Sequence, residues 1–137
     1  MKYEEIYGDL FTTDCKYLAH CVSSDYALGA GIAVQFNKRF DMRAKLNAVG
    51  NHKYPETILI DNVFNLVTKN KCWMKPTLAT LKETLIQMRT ICIAKDIKEI
   101  AMPKIGAGLD RLPWMFVSET IKEVFQDTDI SIKVYIY

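Results

Sequence analysis

The 137-residue sequence has no apolar run approaching the ~20 residues of a membrane span. Its opening, MKYEEIYGDLF, is acidic and polar and lacks the apolar centre of a secretory leader. The four cysteines, Cys15, Cys21, Cys72 and Cys92, form no C-x-x-C pair. That points to reduced thiols in an intracellular protein rather than to a disulfide framework or a zinc site. No repeat, low-complexity tract or Pro/Gly/Ser linker divides the chain, so one domain over residues 1–137 is expected. An excess of one charge is also missing. The 18 Lys and Arg offset 16 Asp and Glu to a net +2, with no basic block. This disfavours a dedicated nucleic-acid surface but leaves room for a small anionic ligand, which needs only local donors. The expectation is a soluble, monomeric protein of the cytoplasm or nucleus, without metal, cofactor or membrane.

Half of the residues are apolar and a quarter charged, close to the mean for a soluble globular chain. A domain of this size can bury roughly two thirds of its unfolded surface and needs no covalent staple. The apolar period switches repeatedly between two and about 3.6, as it does where strands alternate with helices. Strands are predicted at Tyr3 to Tyr7, Tyr17 to Val22, Thr57 to Asp61, Val63 to Thr68 and Glu99 to Pro103. A last strand is read where Ile130, Ile132, Val134 and Ile136 alternate with Ser131, Lys133 and Tyr135. Helices are predicted from Gly31 to Phe40, from Met42 to Val49 with Asp41 as its cap, and from Trp114 to Phe125. The clearest helix runs from Pro76 to Lys95, where Leu78, Leu81, Leu85, Met88 and Cys92 share one face. Pro76 is placed in its first turn, where a missing N–H costs nothing. Interleaved strands and helices imply a three-layer α/β/α domain with ligands beyond the carboxyl ends of the strands.

Two glycine-rich loops each follow a predicted strand. The first is Leu28-Gly29-Ala30-Gly31-Ile32-Ala33 and leads into a helix; the second is Pro103-Lys104-Ile105-Gly106-Ala107-Gly108-Leu109-Asp110-Arg111. Glycine permits close backbone approach to a ligand, and a helix N-terminus directs free N–H groups at an anion such as pyrophosphate. The first loop is not a dinucleotide fingerprint, because Val34 stands at the third glycine position, nor a P-loop, because no Gly-Lys-Ser/Thr follows. A tight turn remains the ordinary reading of either loop alone. Two in one small domain suggest a phosphate pair held between them.

These loops, with His20-Cys21-Val22-Ser23-Ser24-Asp25, Gly8-Asp9-Leu10-Phe11 and Thr68-Lys69 to Lys75-Pro76-Thr77, resemble the macrodomain family over nearly the whole chain. The similarity is to its terminal ADP-ribose protein glycohydrolase subgroup. It implies a macrodomain with a central mixed sheet that binds ADP-ribose and hydrolyses it from carboxylate esters on ADP-ribosylated protein. The asparagine-rich stretch of the large hydrolase branch is replaced here by Val22-Ser23-Ser24-Asp25, so that branch's chemistry is not implied. The subgroup's lysine and aspartate align with Lys69 and Asp110. The resemblance further implies that Asp9 and Leu10 lie near the adenine, with Tyr137 beside them. Ser23 would face the distal ribose, and Gly29, Ala30, Gly31, Ile32 and Ala33 with Ile105, Gly106, Ala107, Gly108 and Leu109 would hold the pyrophosphate and that ribose.

In the chemistry that the resemblance implies, the lysine attacks the anomeric carbon and the aspartate assists proton transfer. An amine must be neutral to attack, so the pair makes sense where Asp110 takes the lysine proton or activates a ribose hydroxyl. Outside the resemblance, Lys69 in Thr68-Lys69-Asn70-Lys71 reads as a solvated strand end, and Asp110 as a turn former or a surface partner of Arg111. His20 and Cys21 cannot form a dyad, since neighbours on a strand face opposite ways, and both read as packing residues. Asp25 and Lys104 read as solvated loop charges. Three alternatives stay open at this point: a non-catalytic ADP-ribose reader, and hydrolases of O-acetyl-ADP-ribose or ADP-ribose 1″-phosphate, or of ADP-ribosylated nucleic acid, the last not favoured by the modest charge.

Overall fold

The computed structural model describes residues 1–137. Six strands form one sheet: β1 (Lys2–Tyr7), β2 (Tyr17–Ser23), β3 (Glu56–Ile60), β4 (Val63–Lys69), β5 (Glu99–Pro103) and β6 (Ser131–Ile136). Their order is β1-β6-β5-β2-β4-β3. All neighbours are parallel except the β3–β4 hairpin, which is antiparallel, so the sheet is mixed. The helices are α1 (Ile32–Phe40), α2 (Met42–Val49), α3 (Leu78–Lys95) and α4 (Trp114–Phe125), with a 3-10 turn at Leu10–Thr12. No helix is long and apolar enough to cross a membrane, and all four cysteines are free.

Strand alternation divides the core into two layers. On β4, Phe64 and Leu66 pack with α3 and α4, whereas Val63 and Val67 pack with α1 and α2. On β5, Ile100 and Met102 face α3 and α4, and Ala101 faces the other way. Successive Cβ atoms point to opposite faces, so a single stretch serves both layers. The three-layer α/β/α expectation holds. The helix ends depart from it. Pro76 precedes α3 rather than opening it; Thr77 is the N-cap, and its hydroxyl accepts from Thr80 N while the Thr80 hydroxyl accepts from Thr77 N. Asp41 precedes α2 but its side chain makes no capping bond; its backbone is left-handed, at φ 53° and ψ 42°, rather than extended as in an ordinary N-cap. Asn37 Oδ1 accepts from Arg43 N instead.

Candidate active site

Because β2, β4, β5 and β6 run in parallel, their carboxyl ends and following loops open on one edge of the sheet. A cleft of about 1030 Å³ lies there. It is lined by both glycine loops, by Gly8 to Phe11, by Cys72 to Lys75 and by Tyr135 to Tyr137. Of the residues singled out from sequence, Lys69, Asp110, Asp9, Leu10, Ser23, Gly29, Ala30, Gly31, Ile32, Ala33, Ile105, Gly106, Gly108, Leu109 and Tyr137 all line it. Ala107 does not; its N–H turns back to the Lys104 carbonyl.

Lys69 owes its direction to an irregularity in the sheet. The register between β2 and β4 runs Val22 to Val67 and then Ser23 to Lys69, so one residue, Thr68, is extra. Such a bulge re-aims the side chain that follows it. Lys69 Nζ lies 2.6 Å from Asp110 Oδ1, and the two side chains are only 13% and 14% exposed. Arg111 is not the partner of Asp110. Its φ of 59° turns the chain back after the second loop, and its N–H bonds the Gly108 carbonyl. This is the one ion pair of the chain in which both side chains are largely withdrawn from water.

The two loops touch each other. Gly31, the N-cap of α1, adopts φ 61° and ψ −148°. A Cβ there would lie 3.1 Å from Leu109 Cδ1, so the second loop rests on the first. Gly106, at φ 70°, lies under Leu112 and Leu81 with equally little room. The first turn of α1 leaves backbone N–H groups without intrahelical partners, and its residues Ile32 and Ala33 line the cleft. At the other end Asp9 Oδ1 accepts from Phe11 N, which closes the 3-10 turn beneath Leu10.

The Ser23 hydroxyl donates to Asp25 Oδ1, and Asp25 also accepts from the N–H groups of Ala27 and Cys72. Burial opposes the charge on Asp25, yet these donors together hold its carboxyl below the ordinary value. Asp25 is thus a structural tie between two loops rather than a solvated charge. The Ser24 hydroxyl reinforces it by donating to the Asn70 carbonyl. His20 and Cys21 do face opposite ways. His20 is fully buried, stacked on Phe36 at 3.9 Å between centroids, with Nε2 2.6 Å from Asn65 Oδ1. Asn65 Nδ2 donates to the Ile58 and Val63 carbonyls, so its oxygen is the acceptor and His20 Nε2 carries the proton. Cys21 lines the floor of the cleft, where burial and then the Asp110 charge push its thiol up to about 12. It stays protonated and is no nucleophile.

Phe11, Gln35, Arg39, Trp73, Lys75 and Lys104 also line the cleft, although the sequence reading assigned none of them to it. Arg39 lies 4.2 Å from the Phe11 ring centroid. The spacing of Gln35 and Arg39, one turn apart on the helix that the first loop opens, is a signal that could have marked both.

No family model matches the chain. Over 134 residues it is 42% identical to the human ADP-ribose glycohydrolase OARD1, covering 93% of this chain and 87% of that protein. The chain belongs to the macrodomain ADP-ribose glycohydrolase family. A DNA ADP-ribosyl glycohydrolase of Mycobacterium tuberculosis is 28% identical over 142 residues, covering 93% of this chain and 40% of the relative. Among solved structures, Thermosipho africanus DarTG in complex with ADP-ribose superimposes with a TM-score of 0.88 at 17% identity, over all of this macrodomain and 42% of that chain.

Proposed function

We propose that this macrodomain is an ADP-ribosyl hydrolase that binds ADP-ribose in the cleft and releases it from carboxylate esters of Glu or Asp on proteins, using Lys69 and Asp110. The observation that carries the reading is the sheltered Lys69–Asp110 contact at the floor of the cleft, beside both glycine loops. The α1 N-terminus supplies donors for the pyrophosphate, and Asp9 and Leu10 with Tyr137 accommodate the adenine at the opposite end.

In this reaction Asp110 accepts the proton of the Lys69 ammonium. The freed Nζ lone pair forms a bond to the anomeric carbon of the distal ribose. The bond from that carbon to the ester oxygen breaks, and its electron pair leaves on the carboxylate. Water then attacks the anomeric carbon, and the C–N bond breaks with its electron pair returning to Nζ. Nζ takes up the proton that water sheds, while Asp110 releases its own proton to solvent. A carboxylate, with an ordinary pKa near 4.3 for glutamate, departs without protonation. That suits a cleft whose acidic lining residues are Asp9 and Asp110 alone.

The test is ADP-ribose release from glutamate-modified protein by wild type, Lys69→Ala and Asp110→Asn. Both variants are expected to lose at least about a hundredfold in turnover, while calorimetric titration still finds ADP-ribose binding. Wild-type turnover by Lys69→Ala would remove the lysine from the mechanism. Binding without release from any linkage would leave a reader. Including ADP-ribosylated DNA, the kind of substrate named for the mycobacterial relative, reports on linkage.

A further inference from the structure

The cleft mouth carries large apolar side chains that the core does not use. Trp73 is 79% exposed and Leu109 68% exposed, and both line the cleft. Each belongs to the loop of one member of the catalytic pair. Leu109 precedes Asp110, which places their Cα atoms about 3.8 Å apart. Trp73 follows Lys69 by four residues, so its Cα lies no more than about 14 Å away. The intervening chain is folded rather than extended, since Met74 N donates to the Lys71 carbonyl at 3.0 Å.

This Trp73 turn is anchored from outside itself. Cys72 N donates to Asp25 Oδ2 at 2.9 Å, and the Ser24 hydroxyl holds the Asn70 carbonyl at 2.7 Å. A tied-down loop that presents an indole to water gains nothing for the fold. An exposed tryptophan is a large apolar surface of about 150–250 Å² awaiting cover.

Charge tells which partner provides that cover. Lys71 and Lys75 flank Trp73, and Lys104 and Arg111 lie on the second loop. None of the four has an acidic partner within ion-pair distance. The nearby acids are committed, Asp25 to Ser23, Ala27 and Cys72, and Asp110 to Lys69. The mouth is therefore positive around an apolar centre.

Resting on the hydrolase reading above, we infer that Trp73, with Lys71 and Lys75, is the specificity platform for the leaving-group side, and that it takes an acidic peptide segment carrying the modified Glu or Asp. The indole covers the peptide stem next to the ester, and the two lysines pair with flanking carboxylates. Small esters, which do not reach the mouth, are indifferent to it.

The experiment compares four substrates: an ADP-ribosyl-glutamyl peptide with Asp/Glu flanks, the same peptide with Gly/Ser flanks, the ADP-ribosyl ester of a small carboxylic acid, and an ADP-ribosylated oligonucleotide. Wild type is expected to prefer the acidic peptide over the neutral one by about tenfold in kcat/KM. Trp73→Ala raises KM for both peptides by about tenfold beyond any change in KM for the small ester, with the loss in KM rather than in kcat. The double variant Lys71→Ala/Lys75→Ala abolishes the preference for acidic flanks and flattens its salt dependence. Equal slowing of the small ester by Trp73→Ala overturns the inference, because the loop then acts on the reacting centre. Loss confined to the oligonucleotide also overturns it, in favour of a platform for bases. Affinity is read separately from turnover by titrating Lys69→Ala with intact acidic ADP-ribosyl peptide. Tighter binding than ADP-ribose alone, lost on adding Trp73→Ala, supports the platform even where wild type cleaves nothing, a result that removes only the hydrolase reading. No gain over ADP-ribose overturns the platform itself.

Discussion

Replacing Gly31 by alanine tests whether the junction of the two glycine loops rests on backbone geometry. At φ 61° and ψ −148° Gly31 occupies a region nearly closed to residues with a Cβ, and entry costs about 1–3 kcal/mol. The new methyl would also lie 3.1 Å from Leu109 Cδ1. Leu109 is largely exposed, so its side chain can yield off its preferred rotamer for about 0.5–1 kcal/mol. The lower entropy of alanine in the unfolded chain returns about 0.4–1 kcal/mol. The expected net loss is about 2 kcal/mol. Urea unfolding followed by circular dichroism measures it as a lowered midpoint at unchanged slope. Gly29→Ala is the control, since a Cβ there meets only the Ala27 carbonyl at 3.9 Å and the entropy gain is unopposed, so it is expected to be neutral or to stabilise by up to about 1 kcal/mol. Displacing Leu109 also disturbs the cleft beside Asp110, so ADP-ribose affinity falls in Gly31→Ala. The reasoning fails if both variants lose the same stability, or if Gly31→Ala loses less than about 0.5 kcal/mol.

Gly106→Ala meets two obstacles together, a left-handed φ of 70° and the Leu81 and Leu112 side chains at 3.2 and 3.1 Å from the new Cβ. Leu81 is fully buried and yields poorly, so a loss of about 2–4 kcal/mol is expected, against almost none for Gly108→Ala, which has open space; equal urea midpoints would refute this. Burial lowers the His20 pKa from 6.5 to about 4, partly opposed by Asn65. Between these values the unfolded chain binds a proton that the folded one refuses, so stability is lost as pH falls from 6.5 towards 4, by about 2 kcal/mol at pH 4.5. His20→Gln keeps an N–H donor for Asn65 and removes the titration; unfolding free energies at pH 7 and 4.5 should differ less in the variant than in wild type, and an unchanged difference would reject the assignment.

The elements were legible because their signals are local. Val63, Phe64, Leu66 and Val67 alternate between the two layers within a few residues, and the α3 stripe from Leu81 to Cys92 is written at helical spacing. The helix caps were less legible. Thr77 competes with Pro76 as the start of α3, and Asn37 reaches six residues forward to do the task assigned to Asp41. Strand order was out of reach. β6 enters between β1 and β5 through pairings such as Lys2 with Ser131, which no local period records.

The candidate site divides along the same line, and this explains why its chemistry needed a resemblance. Each glycine loop announces itself within a few residues, because φ > 0 and close backbone approach demand glycine at particular positions. The Lys69–Asp110 pair joins residues 41 positions apart. Its making depends on the bulge at Thr68 and on the reversal at Arg111, neither of which has a composition of its own. Nothing in Thr68-Lys69-Asn70-Lys71 separates the sheltered Lys69 from the exposed Lys71 and Lys75. The fold makes that separation by leaving one ammonium 2.6 Å from a carboxylate and the neighbouring lysines without partners. The contact has a mechanistic consequence. In the proposed reaction no heavy atom fits between Nζ and Oδ1 at that distance, so the anomeric carbon would approach Nζ from the cleft side while Asp110 takes the proton. Proton acceptor and electrophile would then lie on different sides of one nitrogen, and rotation about the Cε–Nζ bond would carry the freed lone pair from Oδ1 to the anomeric carbon.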